Sequence, residues 1–463
     1  MDRSDRHRRQ WVAVSGAVTA VVLVCAGQRS ADAGAPTSPD SARSARSAHG
    51  VPAGAPGATS PPGAYVDDEV IVGYRATARG RVLAAAERVA GAVHGRALGR
   101  RALLLHVPKG QVAASIRALA KDPGVLYAEP NFIMHEAAAS NDPSFPLQWA
   151  LSNTGQLVNG QKGKPGADIS ARKAWDIVTT TGPVVIGEAD SGIDYGHPDL
   201  AANIWSNPGG IGGCPAGTHG YNVVAKNCQP QDDNRHGTFV AGVMGAVGNN
   251  ARGITGVAWR TQLLPVKFIH AGGWGTVAQL ITGLDWIVRA KQAGVDIGVV
   301  NDSGTWTGWT YSQALDDELA KLARNRILFV TASGNSKSNN DTTPRYPCNY
   351  DAPNEICVAA TTQWDTLAAF SDYGVDTVDL AAPGSNIYST LPGGSYGYWR
   401  GTSFASAYVA AAAALVLGAC PSLTVTQLKA DIVDNVDQLA ALQGRVASGG
   451  RLDLHRALQA CGS

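Results

Sequence analysis

This chain of 463 residues is short of several things. It carries almost no net charge. Its 38 Lys and Arg against 37 Asp and Glu leave a formal +1, so nothing in it calls for a polyanion, and a nucleic-acid partner is set aside. It has no Cys-x-x-Cys pair, which removes the usual spacings for a zinc or redox centre. Its uncharged N-terminal stretch, Trp11 to Gly27, falls short of the ~20 residues that cross a bilayer. No catalytic metal is suggested.

What is present begins with an Arg-rich segment before that uncharged stretch, followed by Ala31-Asp32-Ala33, a small-x-small cleavage pattern. This reads as a secretory signal peptide over residues 1–33 and predicts a secreted, extracellular protein. Residues 34–64 are Ala, Ser, Gly and Pro without aliphatic periodicity, and are expected to be a disordered linker. Beyond Cys25 in the leader, six cysteines remain: Cys214, Cys228, Cys348, Cys357, Cys420 and Cys461. An even count in an exported chain suggests three disulfides. Short loops favour Cys214–Cys228 and Cys348–Cys357, which leaves Cys420–Cys461 to staple the C-terminus.

Two folded parts are expected. Over residues 65–136, Glu69–Tyr74, Ala102–Val107 and Val125–Ala128 read as strands, and Arg81–Val93 and Gln111–Lys121 as helices. With one more strand this makes a small ferredoxin-like α+β unit. His94, His106 and His135 are single and scattered there and carry no role. From residue 137 to 463, apolar strand candidates (184–189, 262–268, 297–301, 327–332, 356–361) alternate with helix candidates (236–247, 277–293, 311–325). Alternation of this kind predicts an α/β fold, a mostly parallel sheet with helices on both faces. Ligand sites in such sheets lie at the carboxyl ends of the strands.

Four residues stand out at such positions. Asp190 closes the apolar run Val184–Ala189, though an Asp there can be a simple turn or cap. His236 opens a helix of small residues, where a lone His is more often a hydrogen-bonded core group. Asn335 follows a strand in Gly334-Asn335, ordinarily a turn. Ser403 sits before the almost wholly apolar run Ala405–Gly418, which predicts a buried helix. A Ser at that place is usually an N-cap. The alternative is a nucleophile whose oxyanion meets the helix N–H groups.

Together the motifs say more than each alone. Asp190-Ser191-Gly192-Ile193-Asp194 with His197-Pro198-Asp199-Leu200, His236-Gly237-Thr238-Phe239-Val240-Ala241-Gly242 and Gly401-Thr402-Ser403-Phe404-Ala405 carry Asp, His and Ser in the subtilisin order. From about Asp142 to its end the chain resembles the subtilisin-like serine peptidases of the S8 (subtilase) family. The segment 65–136, ending in Ala128-Glu129-Pro130-Asn131, resembles that family's inhibitory propeptide. Departures from the family pattern are Glu188, Phe239, Gly304, Ala407, Tyr408 and Ala411.

The resemblance implies a secreted serine endopeptidase, made as a zymogen and cut between about His135 and Asp142. Ser403 would be the nucleophile, His236 the base, Asp190 its orienting acid and Asn335 an oxyanion donor. Substrate would lie extended between Gly273-Trp274-Gly275 and Ser303-Gly304-Thr305, with Ala332, Ser333 and Gly334 lining the pocket for the residue before the cut. Trp274 would narrow the cleft or bind aromatics, whereas Trp306 is expected at ordinary surface or in partial core. Main-chain pairing implies broad specificity. Gln148, Asp199 and Asn249 match a family calcium site, so a structural Ca²⁺ is expected, without a cofactor for catalysis. The expected partners are polypeptide substrates and the chain's own propeptide, the enzyme being a monomer. Two rivals are a silent binding protein that keeps the fold and a processing peptidase of narrow specificity. The four filled catalytic positions oppose the first, and the absence of acidic side chains in the two edge segments opposes the second.

Overall fold

The computed structural model describes residues 65–75, 77–90, 95–133, 139–305 and 311–462. The expected leader and linker, His94, His135, Trp306 and the first half of the interval expected to be cut lie outside them.

The smaller part is built from β1 (Tyr65–Tyr74), α1 (Arg79–Ala90), β2 (Gly95–Leu98), β3 (Ala102–His106), α2 (Val112–Leu119) and β4 (Val125–Phe132). The four strands pair antiparallel in the order β2-β3-β1-β4, the ferredoxin-like arrangement expected. Alternation along β1 buries Val70, Val72 and Tyr74 on one face, where Val82 of α1 and Val112 and Leu119 of α2 close a small apolar core.

The larger part contains β5 (Leu157–Val158), β6 (Gln161–Lys162), α3 (Ala171–Trp175), β7 (Thr180–Asp190), β8 (Tyr221–Asn222), α4 (His236–Gly245), β9 (Arg260–Lys267), α5 (Val277–Gln292), β10 (Ile297–Asp302), α6 (Gln313–Arg324), β11 (Leu328–Ala332), β12 (Glu355–Thr361), β13 (Leu380–Pro383), β14 (Ile387–Leu391), β15 (Ser395–Trp399), α7 (Thr402–Ala419), α8 (Val425–Asp434), β16 (Asp437–Gln438), β17 (Gly450–Arg451) and α9 (Leu454–Cys461). Nine strands form one sheet in the order β16-β17-β13-β12-β11-β10-β7-β9-β8. All its pairs are parallel except β16–β17. Strands β10, β11 and β12 are buried throughout, as a sheet covered on both faces requires.

The two faces have separate cores. On one, α7 packs with α4 and α9 over Ile186, Val299, Val330 and Val358. On the other, α5 and α6 cover Val185, Ala189, Val300 and Phe329. Helix α7 is long and apolar enough to cross a membrane by length and composition. Here its Ala-rich sides fill the protein interior, and fifteen consecutive residues from Thr402 to Val416 are buried. Small side chains let it lie close against β7, β10, β11 and β12 at once.

The three disulfides are Cys214–Cys228, Cys348–Cys357 and Cys420–Cys461, as the loop lengths favoured. The last links the end of α7 to the end of α9.

Candidate active site

The carboxyl ends of β7, β10 and β11 bring the singled-out residues together. Strand β7 alternates, so Ile186, Glu188 and Asp190 share the face toward α4 and α7, while Val185 and Ala189 face the other core. Asp190 ends this strand with no exposed surface and accepts the Ser191 N–H at 2.7 Å. The chain then turns through Gly192, at φ 95°, where a Cβ would lie 2.3 Å from the Pro230 carbonyl oxygen; only Gly fits there.

Helix α4 places His236 opposite. Arg235 holds its cap position without a side-chain cap bond, and Asp232, three residues earlier, serves the first turn: its carboxylate accepts the N–H groups of Asn234, Arg235 and Thr238 and the hydroxyls of Ser191 and Thr238. The His236 Nδ1 lies 2.8 and 2.9 Å from the two Asp190 carboxylate oxygens. The imidazole ring meets Trp399 edge-on at 5.7 Å and Phe404 at 5.9 Å. Burial alone would lower its pKa, but the charge and hydrogen bond of Asp190 outweigh that, and the net shift is upward.

Ser403 is not an N-cap. Helix α7 begins at Thr402, its cap position is Gly401, and no side chain caps it. Ser403 lies within the first turn, largely buried, and its hydroxyl donates to the Ser303 carbonyl at 3.0 Å. Its backbone N–H belongs to the set that a helix start leaves unpaired. Asn335 is tied to the same turn. Its amide oxygen accepts the Thr402 N–H at 2.9 Å and the Thr402 hydroxyl at 3.1 Å, so its NH₂ end is the one available to a ligand. The preceding Gly334 has φ 116°, and a Cβ there would meet the Asp372 carboxylate at 2.2 Å.

A cleft of about 910 Å³ opens beside His236. Gly273, Trp274, Gly275, Ser303, Gly304 and Thr305 all line it, as expected of the two edge segments. Trp274 is exposed and stacks on His270 at 4.0 Å. Ala332 and Ser333 have no exposed surface, and the Ser333 hydroxyl is given to the Asp372 carbonyl. Gly334 donates its N–H to the Thr402 hydroxyl.

Asp302, Arg235 and Trp399 escaped the sequence reading, and the departures Glu188 and Phe239 take on a place in the site. Asp302 closes β10 as Asp190 closes β7, and that parallel was the available signal. It has no exposed surface, its Oδ1 accepts the Gly304 N–H at 3.0 Å, and its Oδ2 has no partner. Burial first, then the Asp190 charge, pushes its pKa up to about 8, against the opposing Gly304 hydrogen bond and His236. Glu188 is buried with both carboxyl oxygens unpartnered. Burial, then Asp190 and Asp232, hold its pKa well above the usual range. Phe239 packs at 4.4 Å on Phe404 and edge-on at 5.6 Å to Trp399, so this departure from the family pattern fills an aromatic cluster behind His236. Arg235 and Trp399 also border the cleft.

The residues named for calcium surround the loop 249–254. The Asn250 side-chain NH₂, the Ile254 N–H and the Tyr396 hydroxyl donate to the carboxylate of Asp199. Asp142 accepts the N–H groups of Asn249, Asn250 and Arg252. The amide oxygen of Asn249 accepts the Asn141 N–H, and Gln148 holds Thr255 through both ends of its amide. Burial and then these donors and the Asp142 charge act on Asp199, with a net upward pKa shift.

Comparison with known proteins agrees with this architecture. The model of the subtilase family matches residues 182–451, more than half the chain, and that of the fervidolysin N-terminal prodomain matches residues 52–131. The thermophilic serine proteinase of Bacillus sp. (strain AK1) is 34% identical over 76% of this chain and 79% of its own length. Thermitase of Thermoactinomyces vulgaris is 33% identical over 63% of this chain and 94% of its own. Among solved structures, a protease of Pseudoalteromonas arctica PAMC 21717 superposes with a TM-score of 0.58 at 24% identity, covering 70% of this chain and all of the other. The chain therefore belongs to the subtilase family of serine proteases and carries a prodomain ahead of its peptidase part.

Proposed function

We propose that the protein is a secreted endopeptidase that cleaves through Asp190, His236 and Ser403 and matures by removing its own prodomain. The observation that carries this reading is the Asp190–His236 pair at 2.8 Å beside a buried hydroxyl at the start of α7. Ser403 rests on the Ser303 carbonyl, and an extended substrate offers its own N–H to that carbonyl, which frees the hydroxyl to turn toward the imidazole. Loose nucleophile–base geometry without substrate is ordinary. The Ser403 oxygen then attacks the peptide carbonyl carbon while its proton passes to His236 Nε2. Asp190 holds the Nδ1 proton and stabilises the imidazolium. The oxyanion is met by the Ser403 N–H and the Asn335 amide. Collapse breaks the C–N bond, the amine leaves with the proton from His236, and water repeats the sequence on the acyl-enzyme to release the acid.

Pairing of main chain with the Gly-containing edges supports broad specificity. A structural Ca²⁺ belongs to the same proposal. Gln148, Asp199 and Asn249, with Asp142 beside them, carry hard oxygen ligand atoms, all of which accept N–H or O–H groups around the loop. A divalent cation would take the place of some of these N–H and O–H groups and relieve the repulsion between Asp142 and Asp199. The ion would hold the loop and take no part in the chemistry.

The test is fluorophosphonate labelling of the purified extracellular protein beside Ser403→Ala. Labelling at Ser403 with loss of the 65–136 segment is the expected result. A folded, prodomain-free protein that stays unlabelled would overturn the reading.

A further inference from the structure

The leaving-group side of the cleft carries a charge that the catalytic proposal does not use. Arg235 directly precedes His236 and has φ 91°, ψ −18°. A positive φ is uncommon for a residue with a long side chain, and such strain persists where the surroundings fix it. Here Asp232 fixes it by accepting the Arg235 N–H at 2.9 Å. The side chain is exposed and lines the cleft, with its guanidinium carbon 5.1 Å from the centre of the Trp399 ring. Trp is the strongest aromatic partner for a cation. Trp399 is itself held edge-on to His236 at 5.7 Å and to Phe239 at 5.6 Å, so the platform beneath the cation is anchored to the catalytic ring.

The nearby carboxylates are already engaged. Asp232 is occupied by the first turn of α4 and by Ser191. Asp233 pairs with Lys267 at 2.6 Å. Among the described residues lining the cleft, the other acidic or basic group besides His236 is Asp302, which has no exposed surface and is mostly protonated at neutral pH. Arg235 is thus the exposed formal charge of the cleft.

The chemistry places it relative to substrate. The departing amine takes its proton from His236, so the chain beyond the scissile nitrogen passes that ring and meets Arg235 and Trp399. We infer that Arg235, seated on Trp399, selects substrates with a carboxylate on the leaving-group side of the cut. The inference rests on the peptidase reading and adds to it a substrate class. A guanidinium offers paired N–H donors that fit a carboxylate in two-point fashion. Two sources supply that group, an Asp or Glu side chain within a longer chain or the C-terminal carboxylate of a short leaving segment.

The experiment uses the processed enzyme secreted from the full chain and quenched fluorogenic peptides that share one acyl half. Glu, Ala or Lys occupies the first three positions after the cut, with the C-terminus amidated. A second set keeps Ala and compares free with amidated C-termini. The readout is the ratio of kcat/KM values within each variant, so a change in overall rate does not enter. Glu should exceed Ala by about threefold to tenfold at low salt, the range of a partly exposed charge-assisted contact, and Lys should fall below Ala. Preference for the free C-terminus alone would identify the chain end as the source. Arg235→Ala should bring the ratios to about one, Arg235→Lys should keep part of them, and Arg235→Glu should invert them toward Lys. Equal ratios in the parent and in Arg235→Glu, with Ser403 still labelled by fluorophosphonate in both, would overturn the inference. Loss of labelling in the parent enzyme would remove the peptidase reading itself.

Discussion

Replacing Asp302 by Asn makes a quantitative test of the electrostatics beneath the cleft. The carboxyl has no exposed surface, one oxygen accepts the Gly304 N–H, and the other has no partner. Its pKa is raised from 3.8 to about 8. The folded state therefore holds a proton that the unfolded chain releases above pH 3.8. For a carboxyl shifted upward, its contribution to stability is highest below the unfolded pKa and falls as pH rises toward the folded one. The slope reaches about 1.36 kcal/mol per pH unit. From 3.8 to 7 is 3.2 units, which makes the penalty at pH 7 about 4 kcal/mol, and from 3.8 to 8 is 4.2 units, which makes it about 6 kcal/mol once the group ionises. Asn keeps the acceptor for Gly304 and cannot ionise. Its buried NH₂ replaces the buried O–H of the neutral acid, so the two proteins should have similar stability near pH 4. Their difference should then widen with pH in favour of the Asp302→Asn variant and level off above about pH 8. Guanidinium unfolding of both, in a Ser403→Ala background that prevents self-digestion, measures the difference at each pH. Curves that stay parallel from pH 5 to 8 would refute the reasoning, because they would mean that Asp302 is already charged in the folded protein.

The other expectations are simpler to state. Asn335→Ala should lower kcat by about 10²–10³ with little change in KM, the size of one lost oxyanion donor; a rise in KM alone would point to a ground-state contact. The net upward shift of His236 puts the acid limb of kcat/KM above pH 6.5, the ordinary imidazole value, and Asp190→Asn should cost about 10⁴ in kcat; a limb below 6.5 in the parent enzyme would contradict the Asp190 pairing. Cys461→Ser opens the loop closed by Cys420–Cys461, a separation of 41 residues, and should cost roughly 4 kcal/mol of stability by chain entropy, read as a lower guanidinium midpoint. Calcium removal with a chelator should lower Tm while the labelling rate of the remaining folded protein is unchanged; an unaltered Tm would argue that hydrogen bonds alone close the 249–254 loop.

Much of the architecture was legible because its signals are local. Apolar runs such as Val184–Ala189 and Ile297–Asn301 became buried central strands, and the unbroken apolar run after Ser403 became the central helix. Short loops between cysteines gave two of the disulfides and left Cys420–Cys461 as the third. The hairpin β14–β15 and the short strands β16 and β17 carry no periodic signal over so few residues and were not found. The motifs located Asp190, His236, Asn335 and Ser403. They could not say that Ser403 caps nothing, since that depends on where α7 begins, nor that its hydroxyl rests on Ser303, a residue 100 positions away. Ala332 and Ser333, expected to line the pocket for the residue before the cut, have no exposed surface at and just after the end of β11.

Glu188 and Asp302 show what kind of information pattern reading loses. In the sequence Asp302 is one charge among 37 acidic residues, ordinarily assigned to the surface, and Glu188 stands out only as a departure from the family pattern, with nothing to show that it is buried. The fold puts them on opposite faces of the sheet, each beside Asp190, where burial disfavours their charged forms. If all three carboxyls were ionised, the field at His236 would be that of a cluster of like charges in a medium of low polarity, and the imidazolium would be held too firmly to pass its proton to a leaving amine. Keeping Glu188 and Asp302 neutral leaves Asp190 as the charge that pairs with the ring. The same neutrality leaves Arg235 as the charge that substrate meets in the cleft. Above about pH 8, where Asp302 ionises, both conditions change together: His236 gains a further carboxylate neighbour, and the cleft that Arg235 lines gains a negative charge. The proton inventory of these two acids therefore links the working range of the base to the charge preference of the cleft, although neither acid belongs to a catalytic motif.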